Sequence, residues 1–297
     1  MRTVLLTGAT SYLGRALAES LAKDGVAVHA VIRPTSDRSR LTGIDPAPVL
    51  HVHGGATKSL AATVADISPD IVFHLATAYR REHELKDVEV LVTSNVLFGT
   101  QLLEAMRRAG VTRFVNVGSY FERYDSDDYR PLNLYAATKR AFAEILTYYA
   151  DAAGVQAVTL TLFDVYGPGD WRAKLLAAIR AAQSGGPPVA LPADEARLDL
   201  VYIDDVVAAF RRAASLLMDN PAAVAGRNFA VSSGTTVPIR AIVAAFEEVG
   251  GRPVPARWGA YPTPARAIAE PWRGPALPGW QARVNLHEGI RRFIGAS

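Results

Sequence analysis

Cysteine is absent from the 297 residues, and that absence removes several kinds of chemistry. Disulfides, thiolate nucleophiles and Cys-based zinc or iron–sulfur sites are excluded, and a reducing cytoplasm is the simple expectation. No apolar run reaches the roughly 20 residues that a membrane-spanning helix requires. The opening MRTVLLTG has neither a basic n-region nor an apolar h-region with a cleavage site. A soluble, unprocessed, cytoplasmic protein is expected. Charge of one sign is not in useful excess either: the net charge is +3, and the pairs Arg107-Arg108, Arg211-Arg212 and Arg291-Arg292 lie in separate segments. Nucleic-acid binding wants such charges clustered on one face beside exposed aromatics, so it is not expected. Repeats and low-complexity linkers are lacking too. A chain of this length still buries a full core and has a prior of about two domains.

What is present starts at once. Val4-Leu5-Leu6 leads into Thr7-Gly8-Ala9-Thr10-Ser11-Tyr12-Leu13-Gly14 and then an Ala/Leu segment ending near Asp24-Gly25. This reads as strand, glycine turn, helix. The first glycine permits the tight turn, the last permits close helix–strand packing, and the helix N-terminus offers N–H groups and a positive dipole end to a pyrophosphate. Gly8, Thr10, Ser11, Tyr12, Leu13 and Gly14 are therefore candidate contacts for a dinucleotide. Ser11 stands where the pattern TGxxGxxG has its middle glycine, and its hydroxyl is a candidate donor to phosphate. The second strand, Val26 to Ile32, ends at Arg33, where a site for NAD places an acidic residue on the ribose 2′-hydroxyl. Arginine suits a 2′-phosphate instead, and Ser36, Arg38 and Arg40 in the same loop add donors. NADP is expected over NAD.

Further along, His51 and His53 lie two apart on an expected strand, without a third ligand placed to complete a metal site; no metal is expected. Pro69 to Thr77 is an apolar strand running into a small-residue turn, whose end, Leu75-Ala76-Thr77, belongs over the cofactor. His74 reads as packed rather than catalytic. A helical pattern runs from about Glu84 to Ala109 and is stopped by Gly110. Arg113 to Ser119 is the next strand, and it delivers a hydroxyl to the carboxyl edge of the sheet. Asn133 to Ala153 follows as a long helix carrying Tyr135 and Lys139 four residues apart, hence on one face. A cation there would lower the phenol pKa from about 10 and make Tyr135 a usable acid.

Val155 to Leu162 is expected as a sixth strand, and strand–helix alternation up to that point specifies a parallel sheet covered on both faces. After Gly167-Pro168-Gly169 the pattern changes. Trp171 to Ser184 is expected as a helix, and Asp199 to Val206 as a strand entering another helix, with Asp204 and Asp205 as its N-cap and first-turn charge. The stretch from Arg252 to Trp280 is rich in proline, tryptophan and arginine. It is compatible with loops around an anionic, ring-containing ligand or with an irregular packed tail.

Taken together, TGATSYLG, VIRP, DIVFHLAT, SNVLFGTQLLEA, FVNVGS, YAATK, LFDVYGPGD, LVYIDDVV and LPGWQARVNLHEGI resemble the extended short-chain dehydrogenase/reductase family, in its epimerase/dehydratase group acting on nucleotide sugars. The resemblance covers nearly the whole chain. It implies an α/β, Rossmann-type doubly wound parallel sheet over residues 1–166 and a smaller, mostly substrate-binding α/β domain over 167–297, with about 199–218 packing back onto the first. It implies Ser119, Tyr135 and Lys139 as the catalytic triad, Gly8, Ser11 and Gly14 as the phosphate loop, Leu75, Ala76 and Thr77 as the cofactor wall, and Phe163 and Val165 beside the nicotinamide. Substrate contacts fall to Ser119, Arg172, Lys174, Arg197, Tyr261 and Arg266. The stretch from GSYFE to NLYAATK is most similar to 4-ketoreductases of deoxysugar pathways.

Two family features are missing: an acidic residue after the third strand, in His53-Gly54-Gly55-Ala56, and an arginine at Leu198, where Arg197 stands one place earlier. Within the group, a 4,6-dehydratase would carry an Asp-Glu pair after the catalytic hydroxyl, where Tyr120 and Phe121 stand. A fucose-type epimerase-reductase would use a cysteine. The expectation is NADPH-dependent reduction of the 4-keto group of a nucleoside-diphosphate 4-keto-6-deoxyhexose. The alternatives are a nucleotide-sugar 4-epimerase, an NADPH reductase of a non-sugar ketone or aldehyde, and, disfavoured by the complete triad, a non-enzymatic redox sensor. The resemblance also implies a homodimer built through the two long helices.

Overall fold

The computed structural model describes residues 1–193, 196–262, 266 and 268–295. Short runs of apolar residues become strands, largely buried on both faces within the sheet and half exposed only at its edge strand β3: β1 Thr3–Thr7, β2 Ala27–Ile32, β3 Val49–Val52, β4 Ile71–His74, β5 Arg113–Ser119 and β6 Gln156–Leu162. With a later strand, β11 Arg227–Val231, they form one parallel sheet in the order β11-β6-β5-β4-β1-β2-β3. The period of two divides each strand between faces. Val4 and Leu6 join the core under helices α1 Tyr12–Lys23 and α7 Ile203–Asp219, whereas Leu5 joins the core under α2 Thr57–Ile67, α4 Phe98–Ala109 and α5 Leu134–Ala153. An apolar residue at every position of such a strand is what two covered faces demand.

The order of strands reverses between β1 and β4. In a doubly wound sheet the ligand crevice lies outside the carboxyl ends of the strands at that point. Here that places Gly8 against Leu75 and Ala76: a Cβ on Gly8 would sit 2.7 Å from the Ala76 nitrogen, and Gly8 has φ of +71°. Helix α1 comes equally close, since a Cβ on Gly14 would lie 2.1 Å from the Gly8 oxygen. Glycine at both positions is a packing requirement.

The long helical pattern before residue 110 is three pieces: α3 Asp87–Val92, a π-helical segment Thr93–Leu97, and α4. Gly110, in the left-handed conformation, ends it. The second half departs further from expectation. Residues 171–174 are not helical. Helix α6 begins at Leu175 and ends at Gln183, because Arg172 folds back onto the Asp170 carboxylate and the Val165 carbonyl and holds the segment as a loop. At α7 the N-cap position is Tyr202, without a side-chain cap. Asp205 instead accepts the Val284 N–H at 2.9 Å, so only the first-turn charge of the expected pair is found. Strand β11 was not legible in sequence, and it extends the sheet beyond β6.

Three small pairings complete the lobe after residue 163: β7 Asp164–Tyr166 with β10 Leu200–Tyr202, β8 Val189–Leu191 with β13 Ala256–Trp258, and β9 Arg197–Leu198 with β12 Val237–Pro238. Helices α8 Ile239–Gly250 and α9 Leu286–Gly295 pack against each other there. Among the described residues no helix is long and apolar enough to cross a membrane.

Candidate active site

Helix α5 starts where Asn133 Oδ1 accepts the Ala136 N–H at 2.9 Å, the side-chain cap that satisfies an otherwise orphaned donor. That start fixes Tyr135 and Lys139 in the first turns, on the buried face, at 8% and 4% exposure. Ser119, at the last position of β5, is buried beside them. The Tyr135 phenol faces the side chains of Ser119 and Thr77. Strand end and helix start therefore bring together the three residues expected to act.

Their electrostatics differ from expectation. The phenol of Tyr135 is pushed up, first by burial and then by the charge of Glu122 and by Tyr79, while the hydrogen bonds from Ser119 and Thr77 pull the other way. Burial brings the Lys139 ammonium down to about 8, and Glu122 opposes that. The expected lowering of the Tyr135 pKa by Lys139 is thus overturned: desolvation of the phenol is the larger effect, and the ammonium is itself drawn toward neutrality. At neutral pH Tyr135 holds its proton, the state a proton donor needs.

Two residues that sequence reasoning did not assign to the site support it. Asn95, in the π-helical segment and 2% exposed, joins Thr77 Oγ1 (3.0 Å), the Ala78 backbone and Thr138 Oγ1 (2.9 Å). Thr138 in turn donates to the Tyr135 carbonyl at 2.7 Å. Nothing local marks Asn95, because the π turn that aims it inward is a tertiary feature. Glu122 had a signal: Ser119-x-x-Glu122 is a capping box. Ser119 caps the short 3-10 turn Tyr120–Glu122, with its Oγ accepting the Phe121 N–H and its own N–H donated to Glu122 Oε1 at 2.8 Å. His74 is packed, as expected, with Nδ1 2.9 Å from Thr7 Oγ1.

On the dinucleotide side, Ser11 is the N-cap of α1 and its Oγ accepts the Gly14 N–H at 3.0 Å. The hydroxyl expected to donate to phosphate therefore also serves the helix. Tyr12 and Leu13 keep first-turn N–H groups that have no acceptor inside the helix. The side chain of Tyr12 points away into the core, donating to the Pro168 carbonyl at 3.1 Å beneath Trp171 and Arg172. Thr10 offers its carbonyl to Arg40 at 3.5 Å, and Arg40 covers the Trp171 ring. Arg33 and Arg38 are exposed and, among the described residues, have no ion-pair partner. The Arg33 N–H is held by Ser36 Oγ at 3.0 Å. A helix N-terminus behind the close Gly8 turn fits the pyrophosphate of a dinucleotide. His51 meets His29 at 2.9 Å, and the described residues hold no cluster of three metal-ligating side chains.

A cavity of about 800 Å³ lies between the sheet edge and the second lobe. Val165, Arg172, Lys174, Arg197 and Tyr261 line it; Arg266 does not. Arg266 lies over the Tyr124 ring at 4.5 Å instead. Phe163 is buried, stacked on Tyr120. The cationic lining is mostly paired: Arg172 forks onto Asp170, Lys174 is 3.8 Å from Asp164, and Arg197 is 3.3 Å from Glu270. Arg81, which sequence reasoning passed over, also lines the cavity and has no ion-pair partner among the described residues. Tyr79, whose ring meets Tyr135 edge-on with centroids 5.0 Å apart, lines the end of the cavity nearest the triad.

The sequence matches the model of the NAD dependent epimerase/dehydratase family over residues 4–229. It is 29% identical over 207 residues to CDP-abequose synthase of Yersinia pseudotuberculosis, covering 69% of this chain and 71% of that protein. To UDP-glucose 4-epimerase of Mycolicibacterium smegmatis it is 28% identical, covering 99% of this chain and 97% of that one. Among solved structures, UDP-glucose 4-epimerase of Thermus thermophilus in complex with NAD is similar with a TM-score of 0.80 and 25% identity, over 99% of this chain and 98% of that one.

Proposed function

Because the chain belongs to the NAD dependent epimerase/dehydratase family, whose members are nicotinamide-dependent oxidoreductases and epimerases of sugar nucleotides, we propose that it reduces a ketosugar at the expense of NADPH. The substrate of this reading is a nucleoside-diphosphate 4-keto-6-deoxyhexose, reduced at its 4-keto group. The observation that carries it is the buried, protonated Tyr135 hydroxyl beside Ser119, followed by Tyr120 and Phe121 where an elimination would need carboxylates. The likeness to CDP-abequose synthase supports it.

The nicotinamide, when bound, supplies the hydride. Tyr135 gives its proton to the ketone oxygen as charge develops there, a step that contributes about 10²- to 10⁴-fold. Ser119 donates a hydrogen bond to the same oxygen, and Lys139 is the residue that would hold the cofactor's ribose. The α1 N-terminus, Leu75-Ala76-Thr77, Phe163 and Val165 would border the cofactor. Arg33, with Ser36 and Arg38, favours NADP by pairing with a 2′-phosphate. Arg81, Arg172, Lys174, Arg197 and Tyr261 supply the anchor for the diphosphate. Binding energy from that non-reacting part orients the ketone.

A second reading, nucleotide-sugar 4-epimerase, is favoured by the likeness to UDP-glucose 4-epimerase along almost the whole chain. The two separate cleanly. A reductase incubated with NADPH and the CDP-, dTDP-, UDP- or GDP-linked 4-keto-6-deoxyhexose oxidises one NADPH per sugar reduced, and leaves the free sugar untouched. An epimerase interconverts UDP-glucose and UDP-galactose with no net consumption. Equal turnover of a diphosphate-free ketone would end the sugar assignment in favour of a non-sugar reductase. A homodimer belongs to the same reading: Leu85, Val88, Val92 and Leu97, on and beside α3, and Tyr148 on α5 are large apolar residues left exposed.

A further inference from the structure

Glu122 occupies a position that neither the triad nor the cavity accounts for. Its Oε1 accepts the Ser119 N–H at 2.8 Å, closing the capping box of the 3-10 turn, and that turn packs on α5. The charged and titratable groups that face it are Tyr135, Lys139 and Arg140 from α5, and Arg123 and Tyr129 from its own loop. The two arginines have other partners: Arg140 pairs with Glu144 at 2.6 Å, and Arg123 lies over the Trp272 ring at 4.4 Å. Lys139, 4% exposed, has no ion-pair partner among the described residues, and the buried His74 and Tyr79 also act on this corner.

We propose that Glu122 is a positioning residue: it fixes Ser119 through its backbone N–H, and from a turn packed on α5 it supplies the anionic charge that faces the buried, unpaired Lys139 ammonium. This rests on the reading of Ser119, Tyr135 and Lys139 as the reacting set. A simple turn cap needs only an acceptor at this position, whereas the proposal needs an anion. The directions agree: the Glu122 charge holds Lys139 up against burial and pushes the Tyr135 phenol up. Burial raises the Glu122 carboxyl itself, so its charge, and with it both effects, disappears as the pH falls through its raised value.

Glu122→Gln separates the two roles, since an amide oxygen also accepts the Ser119 N–H but carries no charge. The chain has five lysines, so the Lys139 ε-carbon can be followed by NMR in lysine-labelled protein and assigned with Lys139→Arg. In Glu122→Gln the Lys139 midpoint should fall by about half to one unit from its native position, a partial form of the shift a nearby opposite charge produces. The alkaline limb of kcat/KM for ketone reduction should move down with it. In acid, where the native carboxyl is protonated, the two proteins should converge. Glu122→Ala, which also loses the Ser119 contact, should be slower than Glu122→Gln. An unchanged Lys139 midpoint and an unchanged pH profile in Glu122→Gln would reduce Glu122 to a turn cap. If the native protein turns over no ketosugar, the functional reading fails while the lysine titration still decides the role of Glu122.

Discussion

The two sides of the site are built differently. In the triad corner the backbone and the supporting polar groups are fixed by a strand end, a capped helix start, and Asn95 tying Thr77 to Thr138. On the cavity wall opposite, Arg172, Lys174 and Arg197 reach acids of their own lobe. A partner anion arriving there must displace a carboxylate or add to an existing pair, and among the described lining residues only Arg81 presents a charge not already paired. On the proposed function the reacting corner is already ordered, whereas capture of a diphosphate would require exchange of partners.

The largest break in this contrast should come from Tyr135→Phe. Losing only the phenolic oxygen should lower kcat by roughly 100-fold or more, with NADPH affinity in a binding titration almost unchanged. Native-like turnover at neutral pH would remove Tyr135 from the reaction.

On the cavity side, Arg81→Ala should lower kcat/KM for the nucleotide sugar by about 10- to 100-fold, the worth of a charge-assisted hydrogen bond of about 1.5–3 kcal/mol. Arg266→Ala, removing a side chain that sits on Tyr124 rather than in the wall, should have the smaller effect. If the ranking reverses in steady-state kinetics, the paired and unpaired cations do not differ as the geometry says.

Arg33→Ala should weaken NADPH more than NADH, cutting the preference by roughly 10-fold or more on the same accounting. Equal losses for both cofactors would show that Arg33 does not read the 2′-phosphate.

The smallest effect is on stability. His74 forms the floor of the corner, among Phe98, Phe114 and Phe142, and burial drives its pKa from 6.5 to about 3. Between those values the unfolded chain binds a proton that the folded one refuses, so stability is full above pH 6.5 and falls as the pH drops toward 3. The slope from one such group is at most about 1.4 kcal/mol per pH unit. Urea midpoints measured from about pH 7 to 4 should fall less steeply for His74→Asn than for the native protein. Parallel curves would show that this histidine does not titrate with unfolding.

Much of this was legible because it is local. The glycine turn, the strands buried on both faces and the Tyr135–Lys139 spacing are patterns of period two or four, and the structure keeps them. Residues 171–174 were misread as helix because their apolar and basic composition suits one. The deciding contact, Arg172 on Asp170 and the Val165 carbonyl, is a side-chain clasp that periodicity does not report. Glu122 carries a local signal, the capping box Ser119-x-x-Glu122, but its facing of Lys139 depends on the packing of that turn on α5.

By itself the sequence determined the strand–helix alternation of the doubly wound sheet, the place of the dinucleotide turn and the shared face of Tyr135 and Lys139, since each depends on neighbours within one strand or one helix; their grouping with Ser119 rests on the family resemblance. Only the tertiary structure decided that β11 extends the sheet, that the π turn aims Asn95 at Thr77, that Arg81 and not Arg266 faces the cavity, and that Tyr135 is held protonated. Those outcomes turn on desolvation and on contacts between segments far apart in the chain. Burial of a group is a sum over everything packed around it, and no spacing along the chain encodes that sum.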